Sequence, residues 1–295
     1  MEKNIEKKEE KIEEKKTKFK TPKVLPVLED ETDTRLTKYE LHPHLPQLPS
    51  MILGIGSVMS GKTTLLNSMA FQSREDGFYD FQTLFDEVYI MSNTIHNDPS
   101  ARFLKKAFNV YDGYSDGMIT KLVDTQKEKG HKKDMAFFAL IMDDILSKSM
   151  KRNSEISYFI SRYRHYNCGL CALFVQNFKN VDTLIRNNAT DIIIFKQTNI
   201  KQLMGIAEEY HAQYGSIENF LRIYEIATAE KYAFLYLKQR EGKAYKSFEY
   251  QIAEGPKILV DNNISLKSDI KKEINKVEER KEKENNKLNE KEPEI

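Results

Sequence analysis

The feature that most constrains this chain is an eight-residue segment, residues 56–63, in which two glycines precede a lysine and a threonine. It reads Gly56-Ser57-Val58-Met59-Ser60-Gly61-Lys62-Thr63, which fits the pattern G-x-x-x-x-G-K-[ST]. An apolar segment, residues 51–55, precedes it and an amphipathic segment follows it. Glycines at these two positions let the backbone curl so that its N–H groups point inward. The segment therefore predicts a phosphate-binding loop between a strand and a helix, whose positive dipole end adds to the attraction.

The same loop predicts the residues that bind a nucleoside triphosphate. Lys62 is expected to reach the β- and γ-phosphates, and Thr63 is expected to ligate Mg²⁺. The complete set of predicted nucleotide-binding residues is Gly56, Ser57, Val58, Met59, Ser60, Gly61, Lys62, Thr63 and Thr64. The alternative, a chance match in a glycine-containing loop, is disfavoured by the apolar strand before the loop and the amphipathic segment after it.

Two adjacent carboxylates follow the longest apolar run of the chain, residues 135–142. An apolar strand that ends in two acidic residues has the form of a Walker B segment, and ligands of open α/β sheets bind at the carboxyl ends of the strands. Asp143 is therefore predicted to hold Mg²⁺, directly or through water, and Asp144 to orient or deprotonate an attacking water. The alternative for this pair is an aspartate that caps a helix at a strand-to-helix turn.

A third polar side chain, Gln176, ends the apolar strand predicted at residues 170–176. A glutamine in this position can sense the γ-phosphate or hold the lytic water, although it can also simply satisfy backbone groups of the loop. Since this strand follows the acidic strand in the chain, we expect at least one extra strand between the phosphate-loop strand and the acidic strand. By fold analogy, that order is typical of motor ATPases rather than of kinases or GTPases.

The hydrophobic pattern predicts an α/β fold, a RecA-like P-loop NTPase with an additional strand, a mostly parallel central sheet and helices on both faces. Its strands are short and apolar throughout, as expected for strands that are buried on both sides. The predicted strands are residues 51–56, 88–92, 137–142, 170–176 and 191–195. The predicted helices are residues 62–74, 154–165, 181–188, 200–210 and 217–227, and a hairpin is expected from strands 232–237 and 244–250.

Charge and proline divide the chain into four predicted segments. Residues 1–20 form a charged N-terminal arm, residues 21–50 a proline-rich extended lead-in, residues 51–265 the P-loop domain and residues 266–295 a charged C-terminal tail. Both Lys/Glu-rich termini are expected to be disordered. The whole chain has a formal net charge of only +1, which argues against a strongly basic protein that coats DNA.

Composition also excludes several classes of protein. The longest apolar run is far shorter than the roughly 20 residues that cross a bilayer, so no membrane association is expected. The two cysteines, Cys168 and Cys171, are too few for a disulfide-built secreted fold and are predicted to be buried structural residues. We therefore expect a soluble protein that is not secreted.

The chain resembles the genome-packaging ATPases of poxviruses, related large DNA viruses and virophages, within the FtsK–HerA superfamily. The resemblance spans residues 45–199, and its generic elements are residues 53–64 and 141–144. The elements that single out the viral branch are Arg164-His165-Tyr166-Asn167 and Ile185-Arg186-Asn187-Asn188. In that superfamily the second acid is usually glutamate, whereas this chain has Asp144.

The resemblance implies an ATP-driven homo-oligomeric ring that threads double-stranded DNA into a preformed capsid, with ATP and Mg²⁺ as ligands. Such a motor grips the DNA backbone without reading sequence, meets capsid or portal proteins, and works in the virion or in a cytoplasmic virus factory. Its arginine finger, which completes the site of a neighbouring subunit, would be Arg186 or Arg164. A salt bridge on a helix surface is the alternative for both arginines.

Two other functions stay open at this level. A cellular-type DNA translocase or conjugation-like ATPase shares the chemistry. A small-molecule kinase or a nucleotide-dependent switch is the alternative from a different class, but no guanine-reading Asn-Lys-x-Asp follows the loop. Basic clusters lie on both sides of the acidic strand, and each is either a DNA contact or a solvated loop. They are Lys127, Lys129, His131, Lys132 and Lys133 before it, and Lys148, Lys151 and Arg152 after it.

Overall fold

A ten-stranded sheet organises the protein. The computed structural model describes residues 41–72, 79–95, 97–115, 117–131, 134–145, 154–260 and 266–289. The strands are β1 (Ser50–Ile55), β2 (Glu87–Ser92), β3 (Asn109–Asp112), β4 (Phe138–Asp143), β5 (Cys168–Val175), β6 (Asp191–Phe195), β7 (Phe234–Lys238), β8 (Lys243–Lys246), β9 (Tyr250–Glu254) and β10 (Lys257–Ile258). Their order across the sheet is β10-β9-β8-β7-β6-β1-β5-β4-β2-β3.

Six of these strands, from β3 to β6 in the sheet order, run parallel, and the remaining four form an antiparallel extension. Strand β5 lies between β1 and β4, so the prediction of an extra strand between the phosphate loop and the acidic strand is confirmed. The sequence also predicted the β7–β8 hairpin. It missed β3, β9 and β10, which are short strands at the two ends of the sheet and carry little apolar signal.

The helices lie between and after the strands. They are α1 (Lys62–Phe71), α2 (Phe81–Leu84), α3 (Arg102–Ala107), α4 (Met118–Glu128), α5 (Glu155–Ile160), α6 (Thr183–Asn188), α7 (Ile200–Tyr210), α8 (Ile217–Ala227) and α9 (Ser268–Asn289). The helix predicted at residues 154–165 is split, because α5 ends at Ile160 and a 3-10 turn follows at Tyr163–Tyr166. That turn closes on Asn167, whose φ of 60° is left-handed and incompatible with a continuing helix.

The core fills both faces of the parallel strands. Strands β1, β4, β5 and β6 are buried along their whole length, which confirms the prediction drawn from their unbroken apolar character. Among the described residues, no helix is long and apolar enough to cross a membrane. The charged arm at residues 1–20 and residues 21–40 of the lead-in lie outside the described part of the chain.

The C-terminal tail requires a correction. Residues 268–289 form α9 rather than the disordered segment expected from their charge. Four apolar side chains of the tail are buried in the core, namely Leu266, Ile270, Ile274 and Val277. Ile270, Ile274 and Val277, at spacings of four and three residues, lie on one side of α9, which packs against α7, and Leu266 lies just before the helix. The dense Lys/Glu pattern conceals this narrow stripe.

Candidate nucleotide site

The phosphate loop, residues 56–63, leaves the carboxyl end of β1 and leads directly into α1. Two of its residues have left-handed backbone, Met59 with φ 61° and Gly61 with φ 108°. A Cβ atom at Gly56 would lie 2.4 Å from Ser60 Oγ, so the tight turn requires glycine there. The tip of the loop faces solvent, since Val58 and Met59 are 66% and 88% exposed.

Lys62 lies beneath this loop and is buried. Its ammonium group donates hydrogen bonds to the carbonyl oxygens of Gly56, at 2.9 Å, and Ser57, at 3.0 Å. These bonds fold the side chain back along the inside of the loop. A bound triphosphate would offer charged oxygens to the same ammonium group, and hydrogen bonds to ionised acceptors are the stronger ones.

Asp143 is the buried member of the acidic pair. Ser92, at the end of β2, donates to Asp143 Oδ2 at 3.5 Å, which is the long limit of a hydrogen bond. No donor in the described part of the chain reaches its Oδ1 atom, although that atom is buried. Burial, followed by the neighbouring carboxylate of Asp144, raises the pKa of Asp143 to about 7. A further positive charge, in addition to that of Lys62, would favour the ionised form of this carboxylate.

A magnesium ion fits that requirement. Proteins usually hold Mg²⁺ through one or two carboxylates together with phosphate oxygens of the substrate, rather than in a closed protein cage. In the part of the chain that the structure describes, no group of three or more His, Cys, Asp or Glu side chains could hold a metal ion. Asp143 and Thr63, at the start of α1, are the residues that would hold the ion.

Asp144 occupies the centre of the site. One carboxylate oxygen, Oδ1, lies 3.9 Å from the ammonium nitrogen of Lys62, and the other, Oδ2, accepts a hydrogen bond from Gln176 Nε2 at 2.9 Å. Its backbone is left-handed, with φ 49°, which is costly for a residue other than glycine. Asn93, which follows β2, stabilises this conformation by donating from Nδ2 to the Asp144 carbonyl oxygen at 2.7 Å.

The structure therefore brings four predicted residues, Lys62, Asp143, Asp144 and Gln176, to one edge of the sheet. The register explains this convergence, because Ile55 pairs with Val175 and Asp143 pairs with Phe174 across neighbouring parallel strands. All three strands thus end at the same level. A carboxylate between a lysine and a glutamine beside a phosphate loop can orient a water toward a bound phosphoryl group.

Sequence reasoning missed a group of amides that supports this site. Gln202 Nε2 donates to the carbonyl oxygen of Gln176 at 2.9 Å and to Gln197 Oε1 at 2.6 Å. Gln197 in turn donates to the carbonyl oxygens of Ile55 and Phe195. Asn93 and Gln197 follow apolar strands, as Gln176 does. A polar residue just after an apolar strand is therefore the sequence signal that could have predicted them.

The two arginines proposed as fingers lie in different surroundings. Arg186, on α6, forms an ion pair with Glu209 at 2.6 Å, and its guanidinium carbon lies 4.9 Å from the centre of the Phe178 ring. Arg164 lies in the 3-10 turn before β5, at the edge of the sheet opposite the phosphate loop. Its side chain is exposed and, within the described residues, makes no ion pair; it donates from Nε to Tyr163 Oη.

The structure also describes the two cysteines and part of the basic clusters. Cys168 and Cys171 are buried and unpaired, and burial raises the pKa of both thiols, as expected for structural residues. Lys127 forms an ion pair with Asp124, while Lys132, Lys133 and the cluster at residues 148–152 lie outside the described part of the chain.

Comparisons with known proteins give distant relatives. No protein-family profile matches the sequence. The chain is 23% identical over 206 residues to Uncharacterized protein 075L of Invertebrate iridescent virus 6, an alignment that covers 68% of this chain and 76% of that protein. Among solved structures it is similar to B204, the DNA-packaging ATPase of Sulfolobus Turreted Icosahedral Virus, with 18% identity, a TM-score of 0.48, and coverage of 67% of this chain and 96% of that one. It is also similar to the pCW3 conjugation coupling protein TcpA, with 15% identity, a TM-score of 0.43, and coverage of 64% of this chain and 57% of that one.

Proposed function

We propose that this protein is a Mg²⁺-dependent ATPase that translocates double-stranded viral DNA into a capsid. The observation that carries the proposal is the convergence of Lys62, Asp144 and Gln176 beside a phosphate loop, with β5 inserted between β1 and β4. That strand order is the one expected of motor ATPases, by fold analogy. The resemblance of residues 164–167 and 185–188 to the corresponding elements of viral packaging ATPases supports the packaging role within that class.

Each residue of the site has a distinct task in hydrolysis. The backbone N–H groups of the phosphate loop bind the phosphates, and Lys62 exchanges its two carbonyl partners for oxygens of the β- and γ-phosphates. Asp144 accepts a hydrogen bond from the attacking water and receives its proton, while Gln176 fixes the carboxylate that does so. Mg²⁺, when bound, would neutralise phosphate charge, and Asp143 and Thr63 would hold it. Asn93 keeps the backbone of Asp144 in its left-handed conformation throughout.

A neighbouring subunit is proposed to complete the site with an arginine. Arg164 is the better candidate, because its guanidinium group is exposed and makes no ion pair among the described residues, whereas Arg186 is engaged by Glu209 within its own chain. A homo-oligomeric ring places one face of each subunit against the next, so an arginine far from its own phosphate loop can reach another. The arginine would stabilise charge that develops on the γ-phosphoryl group.

ATP hydrolysis with and without long double-stranded DNA tests the proposed function. We expect DNA to stimulate turnover of the wild type, and we expect Lys62→Ala and Asp144→Ala to abolish turnover under both conditions. Lys121→Ala removes an exposed lysine on α4 and is the matched control, with turnover equal to that of the wild type. Hydrolysis that is indifferent to DNA would contradict the motor, and absence of hydrolysis with DNA present would contradict the ATPase itself.

The two alternative functions predict different results. A cellular-type translocase or conjugation-like ATPase would also be stimulated by DNA, so it is distinguished by whether the protein associates with capsid or portal proteins. A small-molecule kinase would transfer phosphate to an acceptor such as a nucleoside and would ignore DNA.

A further inference from the structure

An exposed tyrosine, Tyr232, lies against the phosphate loop. It precedes β7, which runs antiparallel to β6, and the start of β7 is therefore at the sheet edge where the parallel strands end. A Cβ atom placed on Gly61 would lie 3.6 Å from both Cβ and Cδ1 of Tyr232. The tyrosine thus borders the loop exactly where the loop passes into α1, although 170 residues separate the two in sequence.

The ring of Tyr232 is held in an exposed position at a conformational cost. Its side chain is 56% exposed, and its backbone φ of 68° lies in the left-handed region that tyrosine rarely adopts. Lys231 places its ammonium nitrogen 4.7 Å from the ring centre. Strained backbone of this kind persists where the surrounding structure enforces it, and such residues concentrate at ligand sites.

Contacts on both sides of Tyr232 enforce this conformation. Lys196, after β6, donates to the carbonyl oxygen of Thr228 at 3.1 Å. Glu230 pairs with Lys246 of β8, and its carbonyl oxygen accepts a hydrogen bond from the Ala233 N–H at 3.3 Å. The backbone on both sides of Tyr232 is therefore held by Lys196, which follows β6, by Lys246 of β8 and by a local turn.

We infer that Tyr232 is the platform on which the nucleobase of ATP stacks. The inference rests on the proposed function, because it assigns the base end of the nucleotide whose phosphates the loop would bind. A nucleotide held there by its phosphates extends its sugar and base past the rim of the loop, and an exposed aromatic ring borders that rim at Gly61. Stacking on an aromatic face stabilises any nucleobase, so Tyr232 would add affinity more than base selectivity.

Titration calorimetry with two probes separates stacking from support of the loop. The probes are the β,γ-imido analogue of ATP and inorganic tripolyphosphate, which lacks a base. Tyr232→Asn removes the ring while keeping a residue that tolerates left-handed backbone, and Tyr232→Phe keeps the ring. Tyr250→Asn is the matched control, because Tyr250 is also exposed and also has a lysine near its ring.

We expect Tyr232→Asn to weaken binding of the ATP analogue about tenfold and to leave tripolyphosphate binding unchanged. Tyr232→Phe and Tyr250→Asn should bind both probes as the wild type does. Equal affinity of wild type and Tyr232→Asn for the analogue, or an equal loss for both probes, would overturn the inference and leave the proposed ATPase intact. Failure of the wild type to bind either probe would instead contradict the proposed function.

Discussion

Gln176, which follows β5, donates a hydrogen bond of 2.9 Å to Oδ2 of Asp144, which follows the neighbouring strand β4. Oδ1 of the same carboxylate lies 3.9 Å from Lys62. The carboxylate therefore lies between two side chains from different elements, Gln176 after β5 and Lys62 at the start of α1. Asn93 adds a third contact, because it donates to the backbone carbonyl oxygen of Asp144 at 2.7 Å.

Removal of the Asp144 carboxylate should slow hydrolysis without preventing nucleotide binding. Asp144→Asn is expected to lower kcat by about 10²–10⁴-fold, the usual contribution of a general base. Gln176→Ala is expected to lower kcat about tenfold, because the base stays but loses its orientation. If Gln176 acts through Asp144, the double variant should be no slower than Asp144→Asn, as steady-state kinetics can show. If instead the losses of kcat in the two single variants multiply in the double variant, Gln176 acts independently of Asp144, by contacting the phosphate.

We expect Arg186 to contribute to the stability of the fold and Arg164 to contribute little to it. Arg186→Ala breaks a partly buried ion pair with Glu209 and should cost about 1–2 kcal/mol of unfolding free energy, with a similar loss in Glu209→Gln. Arg164→Ala should change stability by less than about 0.5 kcal/mol, because the side chain is exposed. Urea unfolding measures both. A stability loss confined to Arg164→Ala would contradict this division.

Subunit mixing tests whether Arg164 acts on a neighbour. Rings of Arg164→Ala subunits and rings of Lys62→Ala subunits should each be inactive. A mixture contains interfaces that join an intact phosphate loop to an intact arginine, so part of the ATPase activity should return. Arg186→Ala mixed with Lys62→Ala serves as the comparison. No recovery in the Arg164 mixture, with recovery in the Arg186 mixture, would assign the finger to Arg186.

Asp143 should make the metal-free protein less stable as pH rises. Burial and the Asp144 carboxylate raise its pKa to about 7, whereas an aspartate in the unfolded chain titrates near 3.9. Between these values the folded state binds more protons than the unfolded state, so stability falls as pH increases through this window. The loss is on the order of 4 kcal/mol. Thermal unfolding in EDTA between pH 4 and pH 8 should show it, and Asp143→Asn should flatten the curve; an unchanged curve in that variant would refute the assignment.

The C-terminal helix should contribute to stability. Ile274→Ala removes a buried side chain from α9 and should cost about 2 kcal/mol of unfolding free energy, toward the lower end for core isoleucines because the helix lies at the surface. Asn275→Ala, at the adjacent exposed position, is the control and should be neutral. Chemical denaturation of the full chain provides the comparison. Equal stability of the two variants would show that α9 adds little to the fold.

The parts of the fold and of the site that could be predicted are those marked by a pattern within one short stretch of sequence. The phosphate loop, Asp143, Asp144 and Gln176 each sit at the end of an apolar run, and that placement alone brings them to one edge of a parallel sheet. Tyr232 has no such signal, because its place beside Gly61 depends on the antiparallel pairing of β7 with β6. The ion pair of Arg186 likewise joins two residues of different helices that are 23 positions apart in sequence. In α9, the buried apolar residues Ile270, Ile274 and Val277 lie among many charged residues, so composition favoured disorder where packing produces a helix.

Displacement of a third strand from a DNA triplex measures whether ATP hydrolysis drives movement of this protein along DNA. We predict that the wild type releases the third strand from a long duplex only when ATP and Mg²⁺ are present. Asp144→Asn, which should still bind ATP, should release none. Release of the third strand without ATP, or steady ATP hydrolysis on the same DNA with the triplex left intact, would show that hydrolysis does not drive movement along DNA.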